Sequence, residues 1–333
     1  MKKKHLAIMG VGLALALIGG SMFIPVGGSL AVSTPKTPPA HAPSFDGFSD
    51  AAPGAPIDLL FIHHSCGGQL LADVGPDKGE HCIYETHPSG GGLRAALTAQ
   101  GYRVHEASYD SAIGHDTDTF DWLPKFSTKL DDILRVDVQD TTLPDGRKNR
   151  IVVFKSCFPN NQFAGEGSSP GDPKGPALTV WNARATLTAL LPIFAAHPET
   201  LFVYVTAPPN APHTEKMPLY RAIVRALKGK VEPGYTAKQA GWAREFNDWV
   251  VSSEGWLAGY KEKNVAVFDY YGILTGDGQS NLSVFATDSG RDSHPSSEGN
   301  GVAAKAFVPF INRVARRAGI VDERAAATQK ARD

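Results

Sequence analysis

A serine near the start of the chain and a histidine near its end are the residues whose chemistry can be combined. Ser65 directly follows an apolar run at 57–62, and small residues come after it. A serine hydroxyl is a poor nucleophile until a base takes its proton, and that base is commonly a histidine oriented by a carboxylate. His294 and Asp292 supply both groups. These three residues predict nucleophilic attack on an acyl carbon.

Two residues between these ends are candidate donors for an oxyanion. An acyl-transfer transition state places negative charge on a carbonyl oxygen, which preorganised N–H groups stabilise. Gly114 and Asn160 each follow a run of residues typical of a strand. Asn161 competes with Asn160, because sequence does not fix a strand end to one residue. We predict that Gly114, Asn160 and the backbone N–H of Ser65 form the oxyanion hole.

Five apolar runs rich in β-branched and aromatic residues predict the strands that position these groups. They lie at 57–62, 102–108, 150–156, 201–206 and 265–269. Helical segments separate them, at 92–100, 178–196, 237–256 and 301–318. Alternating strands and helices predict a three-layer α/β/α fold around a doubly wound parallel sheet, with the ligand site outside the carboxyl ends of the strands. Pro192 is expected to kink or divide the second helix.

The order serine, glycine, asparagine, histidine in these contexts resembles the SGNH (GDSL-type) hydrolase superfamily. Ser65 and Gly114 fall in that family's first and second blocks. Asn160 and His294 fall in its third and fifth, and the resemblance spans nearly the whole chain after residue 56. It implies an SGNH or flavodoxin-like α/β fold and an ester hydrolase that uses Ser, His and Asp. It also implies a small-molecule or carbohydrate ester as substrate and no metal or organic cofactor.

The chain departs from the family pattern in two places. His63 and His64 stand where glycine and aspartate normally precede the nucleophile. Arg291 stands where the family has an aspartate three residues before the catalytic histidine. Asp292 is predicted to orient the imidazole, and Asp288 is the alternative.

Other interpretations of the polar residues stay open. His64 and His81 are candidate centres for a metal-dependent hydrolase. His63 is adjacent to His64, and adjacent histidines on a strand point to opposite faces, so only one of these two could join a common metal site. A non-catalytic SGNH-like carbohydrate-binding protein is a further alternative.

Three other residues near strand ends could lie at the site. Cys66 is a minor candidate nucleophile, because no adjacent base is evident. Lys155 is expected at the edge of the site or with its stem snorkelling to solvent. Asp269 also ends a strand and is a candidate site carboxylate.

Length and composition favour one enzyme-sized domain. A chain of 333 residues with 42% hydrophobic residues can bury a substantial core. Its net charge is −1, and no Lys/Arg cluster outside the N-terminus suggests a face that follows a phosphate backbone, which argues against nucleic acid as a partner. The three cysteines allow at most one intramolecular disulfide, either Cys66 with Cys157 or Cys66 with Cys82.

The N-terminus predicts export. Lys2, Lys3 and Lys4 precede an apolar stretch at 6–26, which is typical of a signal peptide or a membrane anchor over 1–31. A Pro/Ala-rich linker at 32–56, a hydrolase domain at 57–320 and a polar tail at 321–333 follow. The domain is therefore expected in the periplasm, outside the cell, or anchored to the outer face of a membrane.

Two long irregular stretches interrupt the pattern of strands and helices. The first is a Pro/Gly-rich loop at 162–176, which is expected to be a rim loop or a surface insertion. The second, at 208–233, includes a basic amphipathic piece at 219–230.

Overall fold

The computed structural model of the protein describes residue 45, residues 47–212 and residues 236–322. The predicted leader at 1–31, most of the linker, the basic piece at 219–230 and nearly all of the tail lie outside these residues. In the part of the chain that is described, no helix is both long and apolar enough to cross a membrane.

The structure consists of ten strands and seven α-helices within the described residues, and most of the long strands are separated by helices. They are β1 Ile57–Ile62, α1 Ser65–Leu71, β2 Asp73–Val74, β3 Lys78–Glu80, β4 Ile83–His87, α2 Leu93–Ala99, β5 Tyr102–Ala107, α3 Trp122–Ile133, β6 Ile151–Lys155, α4 Val180–Ala195, β7 Leu201–Val205, α5 Ala237–Val251, β8 Val265–Phe268, α6 Tyr270–Leu274, β9 Ala286–Thr287, β10 Asp292–Pro295 and α7 Ser297–Arg317.

A five-stranded parallel sheet, ordered β5-β1-β6-β7-β8, lies at the centre. The chain winds outward in one direction from β1 to β5 and in the other from β6 to β8. The switch point therefore lies between β1 and β6, at whose carboxyl ends ligands bind in open α/β sheets. This architecture confirms the predicted fold class. Two smaller sheets, β2-β4-β3 and β10-β9, complete the described strands.

Helices cover both faces of the sheet because successive strand residues point to opposite faces and both sets are apolar. On one face Leu60, Ile62 and Val152 pack with residues of α3, α4 and α5. On the other face Leu59 and Phe61 pack with residues of α1, α2 and α7. The two cores hold the carboxyl ends of β1 and β6 rigidly in place.

Helix α4 differs from the prediction because it continues unbroken through Pro192. A proline removes one backbone donor from a helix. Here Leu187, Leu190 and Phe194 on both sides of it are fully buried, so tertiary packing maintains the helix. The helix is therefore not divided at Pro192.

The helix predicted over 237–256 ends early, at Val251. Trp256 lies beyond it in a turn, where its indole N–H donates to the Leu187 carbonyl at 2.8 Å. A Cβ at Gly255 would lie 1.7 Å from the Trp249 carbonyl oxygen, so this turn requires glycine.

The described end of the predicted linker packs against α7. Arg316 donates to the Ala51 carbonyl at 2.7 Å, and Asn312 donates to the Asp50 carbonyl at 2.7 Å. The Phe45 ring meets the Phe310 ring edge to face. These contacts place the described end of the predicted linker against the last helix.

Candidate active site

The turn after β1 presents Ser65 as the first residue of α1. Strand β1 is buried along its whole length, and the helix begins only three residues after it ends. Two glycines make this close approach possible. A Cβ at Gly67 would lie 2.3 Å from His63 Cβ, and one at Gly68 would lie 2.0 Å from the Cys82 carbonyl oxygen. The sharp strand-to-helix turn leaves Ser65 half-buried at the carboxyl edge of the sheet.

Ser65, His294 and Asp292 form a continuous chain of hydrogen bonds. Ser65 Oγ lies 2.9 Å from His294 Nε2. His294 Nδ1 lies 2.7 Å from Asp292 Oδ1, which also accepts the His294 backbone N–H at 3.0 Å. A proton on Nδ1 satisfies the carboxylate and leaves the Nε2 lone pair facing the serine hydroxyl. The structure thus brings together residues separated by more than two hundred positions in sequence.

His294 lies on the short strand β10, and contacts with neighbouring residues fix its position. Thr287 Oγ1, on the paired strand β9, donates to the His294 carbonyl at 3.0 Å. Ser293 Oγ accepts the Ala211 backbone N–H at 2.9 Å. The Phe158 ring meets the imidazole edge to face, with ring centroids 5.2 Å apart. Backbone and ring contacts therefore fix the histidine on three sides.

Of the three candidate carboxylates, the structure brings only Asp292 to the histidine. Burial raises the pKa of Asp292, but the hydrogen bonds from His294 outweigh it and hold that pKa below its ordinary value. Asp288 is exposed and pairs with Arg291 at 3.6 Å. Asp269 accepts the Gly272 N–H at 2.8 Å and so caps α6.

The Asn160 side chain is held by residues that follow β5. Its Oδ1 accepts the backbone N–H of Thr119 at 2.7 Å and the Thr119 hydroxyl at 2.9 Å. Its amide donates to Asp118 Oδ1 at 2.8 Å. An asparagine amide carries two hydrogens, so the Asn160 amide can donate to one further acceptor.

Gly114 and Asn161 have other hydrogen-bond partners in this structure. The single N–H of Gly114 donates to Ser111 Oγ at 2.8 Å. The structure therefore does not present Gly114 as a free donor beside Ser65. Asn161 is fully buried and donates to the carbonyls of Ala207 and Pro208 at 2.9 and 3.0 Å, which ties the end of β6 to the end of β7.

The histidine behind the nucleophile turn is His63 and not His64. His63 is fully buried, with Nδ1 2.9 Å from the His64 carbonyl and Nε2 3.0 Å from Glu106 Oε1. Glu106 also pairs with Arg94. Burial raises the pKa of Glu106, but the hydrogen bond and charge of His63, with those of Arg94, hold it below its ordinary value.

His64 and His81 point away from any shared metal position. His64 Nε2 lies 2.8 Å from the Gly114 carbonyl, so it is a donor and not a ligand, and the ring stacks on Tyr109. His81 Nδ1 pairs with Asp110 at 2.6 Å. Across the described residues, no group of three or more His, Cys, Asp or Glu side chains is arranged to hold a metal ion.

Glu106, Asp118 and the burial of Lys155 were not predicted from the sequence. Lys155 is fully buried and does not snorkel to solvent, and its Nζ lies 3.9 Å from Cys157 Sγ. A charged residue in an otherwise apolar strand is the available signal for Lys155, since such side chains are rarely buried without partners. No local signal marks Asp118, because its partner Asn160 comes from another strand.

Comparisons with known proteins give weak similarities to esterases. No protein-family model matches the chain, and no curated protein matches its sequence. An extracellular lipase from Streptomyces rimosus is 17% identical, with a TM-score of 0.37, over 78% of this chain and 99% of its own. A carbohydrate esterase family 2 enzyme from Corynascus thermopiles (Myceliophthora fergusii) is 15% identical, with a TM-score of 0.35, over 80% of this chain and 68% of its own.

A third similar structure is a variant of an acetyl-xylooligosaccharide esterase from Geobacillus. It is 14% identical, with a TM-score of 0.35, over 80% of this chain and 96% of its own. All these identities and TM-scores are low, so the activity of the chain has to be inferred from its own residues.

Proposed function

We propose that the protein is an exported serine ester hydrolase of the SGNH type. One observation carries the proposal: His294 lies within hydrogen-bond distance of both Ser65 Oγ and Asp292 Oδ1, at 2.9 and 2.7 Å. A nucleophile, a base and an orienting acid in this order are the arrangement that activates a serine.

The proposed reaction follows from this geometry. His294 Nε2 takes the proton of Ser65 as Oγ attacks the ester carbonyl, and the resulting imidazolium is stabilised by the ionised Asp292. The free N–H of Asn160 and the backbone N–H of Ser65 stabilise the oxyanion. His294 then protonates the leaving alcohol, and water releases the acid from Ser65 by the same steps in reverse.

The proposed substrate is an acylated carbohydrate or another short-chain ester outside the cytoplasm. The apolar stretch at 6–26 after three lysines supports export. The side chains of His294 and Asp292 are 27% and 47% exposed, which supports access of a substrate from solvent.

Labelling with a fluorophosphonate probe tests the proposal, because only an activated serine reacts. The wild-type protein should be labelled at Ser65 and should hydrolyse a chromogenic acetate ester. Ser65→Ala should lose labelling and nearly all turnover, as removal of a triad member costs several orders of magnitude. Circular dichroism checks that the variant is folded. Labelling elsewhere, or a variant that keeps more than roughly a tenth of the activity, would refute Ser65 as the nucleophile.

A further inference from the structure

A lysine and two cysteines lie beside Ser65 and have no part in the proposed hydrolysis. Lys155, at the end of β6, is fully buried, and its Nζ lies 3.9 Å from Cys157 Sγ. Cys157 Sγ in turn lies 3.7 Å from Ser65 Oγ. The backbone N–H and the thiol of Cys66, the second residue of α1, both hydrogen-bond to Cys157. All three cysteines are free thiols in this structure.

A buried lysine faces Cys157 in this cluster. A buried ammonium is costly unless an anion compensates it. Among residues 47–212 and 236–322, no carboxylate pairs with Lys155, and Cys157 Sγ is the group that faces its Nζ. The hydrogen bond from Cys66 and the charge of Lys155 outweigh burial and hold the pKa of Cys157 well below its ordinary value. The same hydrogen bond and burial raise the pKa of Cys66.

The two cysteines also differ in access. Cys157 is half-buried, whereas Cys66 is fully buried. A reactive cysteine is one that combines thiolate character with access to the reagent. Cys157 has the lower pKa and the greater exposure of the two, so Cys157 should react first and Cys66 second.

We propose that Cys157 and Cys66 form a redox-active pair that reacts with small disulfides. The Cys157 thiolate attacks one sulfur of the small disulfide, forming a mixed disulfide and releasing one thiolate. Cys66 then loses its proton and attacks the Cys157 sulfur, which releases the second thiol. The two protein sulfurs are oxidised to one disulfide, and the small disulfide is reduced to two thiol groups.

Oxidation should lower turnover at Ser65. A disulfide brings two sulfurs to about 2.05 Å, far closer than hydrogen-bonded sulfurs lie. Closing it must therefore shift Cys66, the neighbour of Ser65, or Cys157. Catalytic groups tolerate a displacement of only about 0.5 Å, and a misplacement of about 1 Å can cost a hundredfold in rate. This effect rests on the proposed esterase function, whereas formation of the disulfide does not.

Peptide mapping after incubation with oxidised glutathione tests the pair. The reduced protein should lose the mass of two hydrogens, and the peptides that contain Cys66 and Cys157 should become linked while Cys82 stays free. A link to Cys82, or a Cys157 that stays unmodified while Cys82 reacts, would overturn the proposal.

Alkylation of the reduced protein by iodoacetamide tests the thiolate without any oxidant. Cys157 should react at neutral pH at least about tenfold faster than Cys82, because burial raises the pKa of Cys82. Lys155→Met, of similar volume, should slow Cys157 by about tenfold and leave Cys82 unchanged. Equal rates at the two cysteines of the wild type would refute the assignment, and this comparison holds even where the variant does not fold.

Turnover measured before and after oxidation tests the consequence for Ser65. The wild type should lose about tenfold or more on oxidation and recover it with dithiothreitol. Turnover of Cys66→Ser should not respond to oxidised glutathione. A linked disulfide with unchanged turnover would overturn the inhibitory effect. A linked disulfide in a protein with no esterase activity in either state would refute the proposed function and leave the cysteine pair standing.

Discussion

Replacing Asp292 by asparagine tests the least conventional part of the proposed triad. The carboxylate accepts the Nδ1–H of His294 at 2.7 Å, so it selects the tautomer whose Nε2 faces Ser65. An asparagine side chain can instead donate its amide to Nδ1. That bond favours the tautomer with a proton on Nε2, which cannot take the proton of the serine.

The size of the effect follows from charge separation and exposure. Two unit charges about 4 Å apart attract by about 4 kcal/mol near a protein surface and by about 1 kcal/mol in bulk water. The Asp292 side chain is 47% exposed, so a value between these limits, about 2–3 kcal/mol, is appropriate. At about 1.4 kcal/mol per tenfold, this loss lowers kcat by roughly a hundredfold. The unfavourable tautomer adds up to another tenfold.

Initial rates with a chromogenic acetate ester measure this prediction. Asp292→Asn should lower kcat by roughly a hundred- to a thousandfold with little change in KM, because the lost interaction strengthens in the transition state. Asp292→Ala should be less damaging, since it removes the charge without offering an amide to Nδ1. Asp288→Asn is the matched control and should be near wild type, because Asp288 pairs with Arg291. Near-normal kinetics for Asp292→Asn, or a collapse for Asp288→Asn, would refute the reasoning.

Three other substitutions have distinct expected outcomes. Asn160→Ala should lower kcat by about a hundredfold at nearly constant KM in the same assay, whereas an equal kinetic effect of Asn161→Ala would transfer the oxyanion role to that residue. Asn161→Ala should instead lower the unfolding free energy in urea by about 1–3 kcal/mol per carbonyl left without its donor. Burial raises the pKa of Asp269 to about 6 in the folded state. The folded carboxyl then keeps a proton that the unfolded chain has lost, so stability falls as pH rises from about 4 to about 6, by up to about 3 kcal/mol. Asp269→Asn should remove this decline in urea unfolding curves, and an equal decline in both proteins would contradict the assignment.

The sequence was sufficient to predict the sheet because the strands that form it are buried on both faces. Runs such as 57–62 and 201–206 are apolar at every position or nearly so, which is typical of central parallel strands. Helix ends were harder to predict, because propensity does not show what packs against a helix. Helix α4 continues through Pro192, and its neighbours Leu190 and Phe194 are buried in the core. This burial is visible only in the tertiary structure.

The candidate triad could be predicted because each member follows a recognisable element. Ser65 follows the first strand, and His294 and Asp292 precede the last helix. The oxyanion donors were less accessible to sequence reasoning, since a donor is defined by which partner its hydrogen already has. Only the structure shows that the Gly114 N–H donates to Ser111 Oγ and that the Asn160 amide donates to Asp118.

Substitutions of Glu106, the partner of His63, test whether charge or hydrogen bonding stabilises the nucleophile turn. Both ring nitrogens of His63 lie within hydrogen-bond distance of oxygen atoms, and only an imidazolium can donate to both of them. Glu106→Gln keeps two hydrogen bonds with a neutral ring, because the amide donates to Nε2 while Nδ1 still donates to the His64 carbonyl. The amide oxygen can still accept from the partly exposed Arg94. Replacing a buried ion pair by a neutral pair of the same shape is often close to neutral in free energy.

We therefore expect Glu106→Gln to keep kcat within about threefold of wild type. Glu106→Ala leaves a buried ring nitrogen of His63 without a partner, so it should lower the unfolding free energy in urea by about 1–3 kcal/mol. It should also lower kcat, because His63 contacts the carbonyl of the residue before Ser65. If Glu106→Gln is as damaging as Glu106→Ala in both measurements, the turn depends on a buried charge, and the His64 carbonyl is held by an imidazolium that a neutral histidine cannot replace.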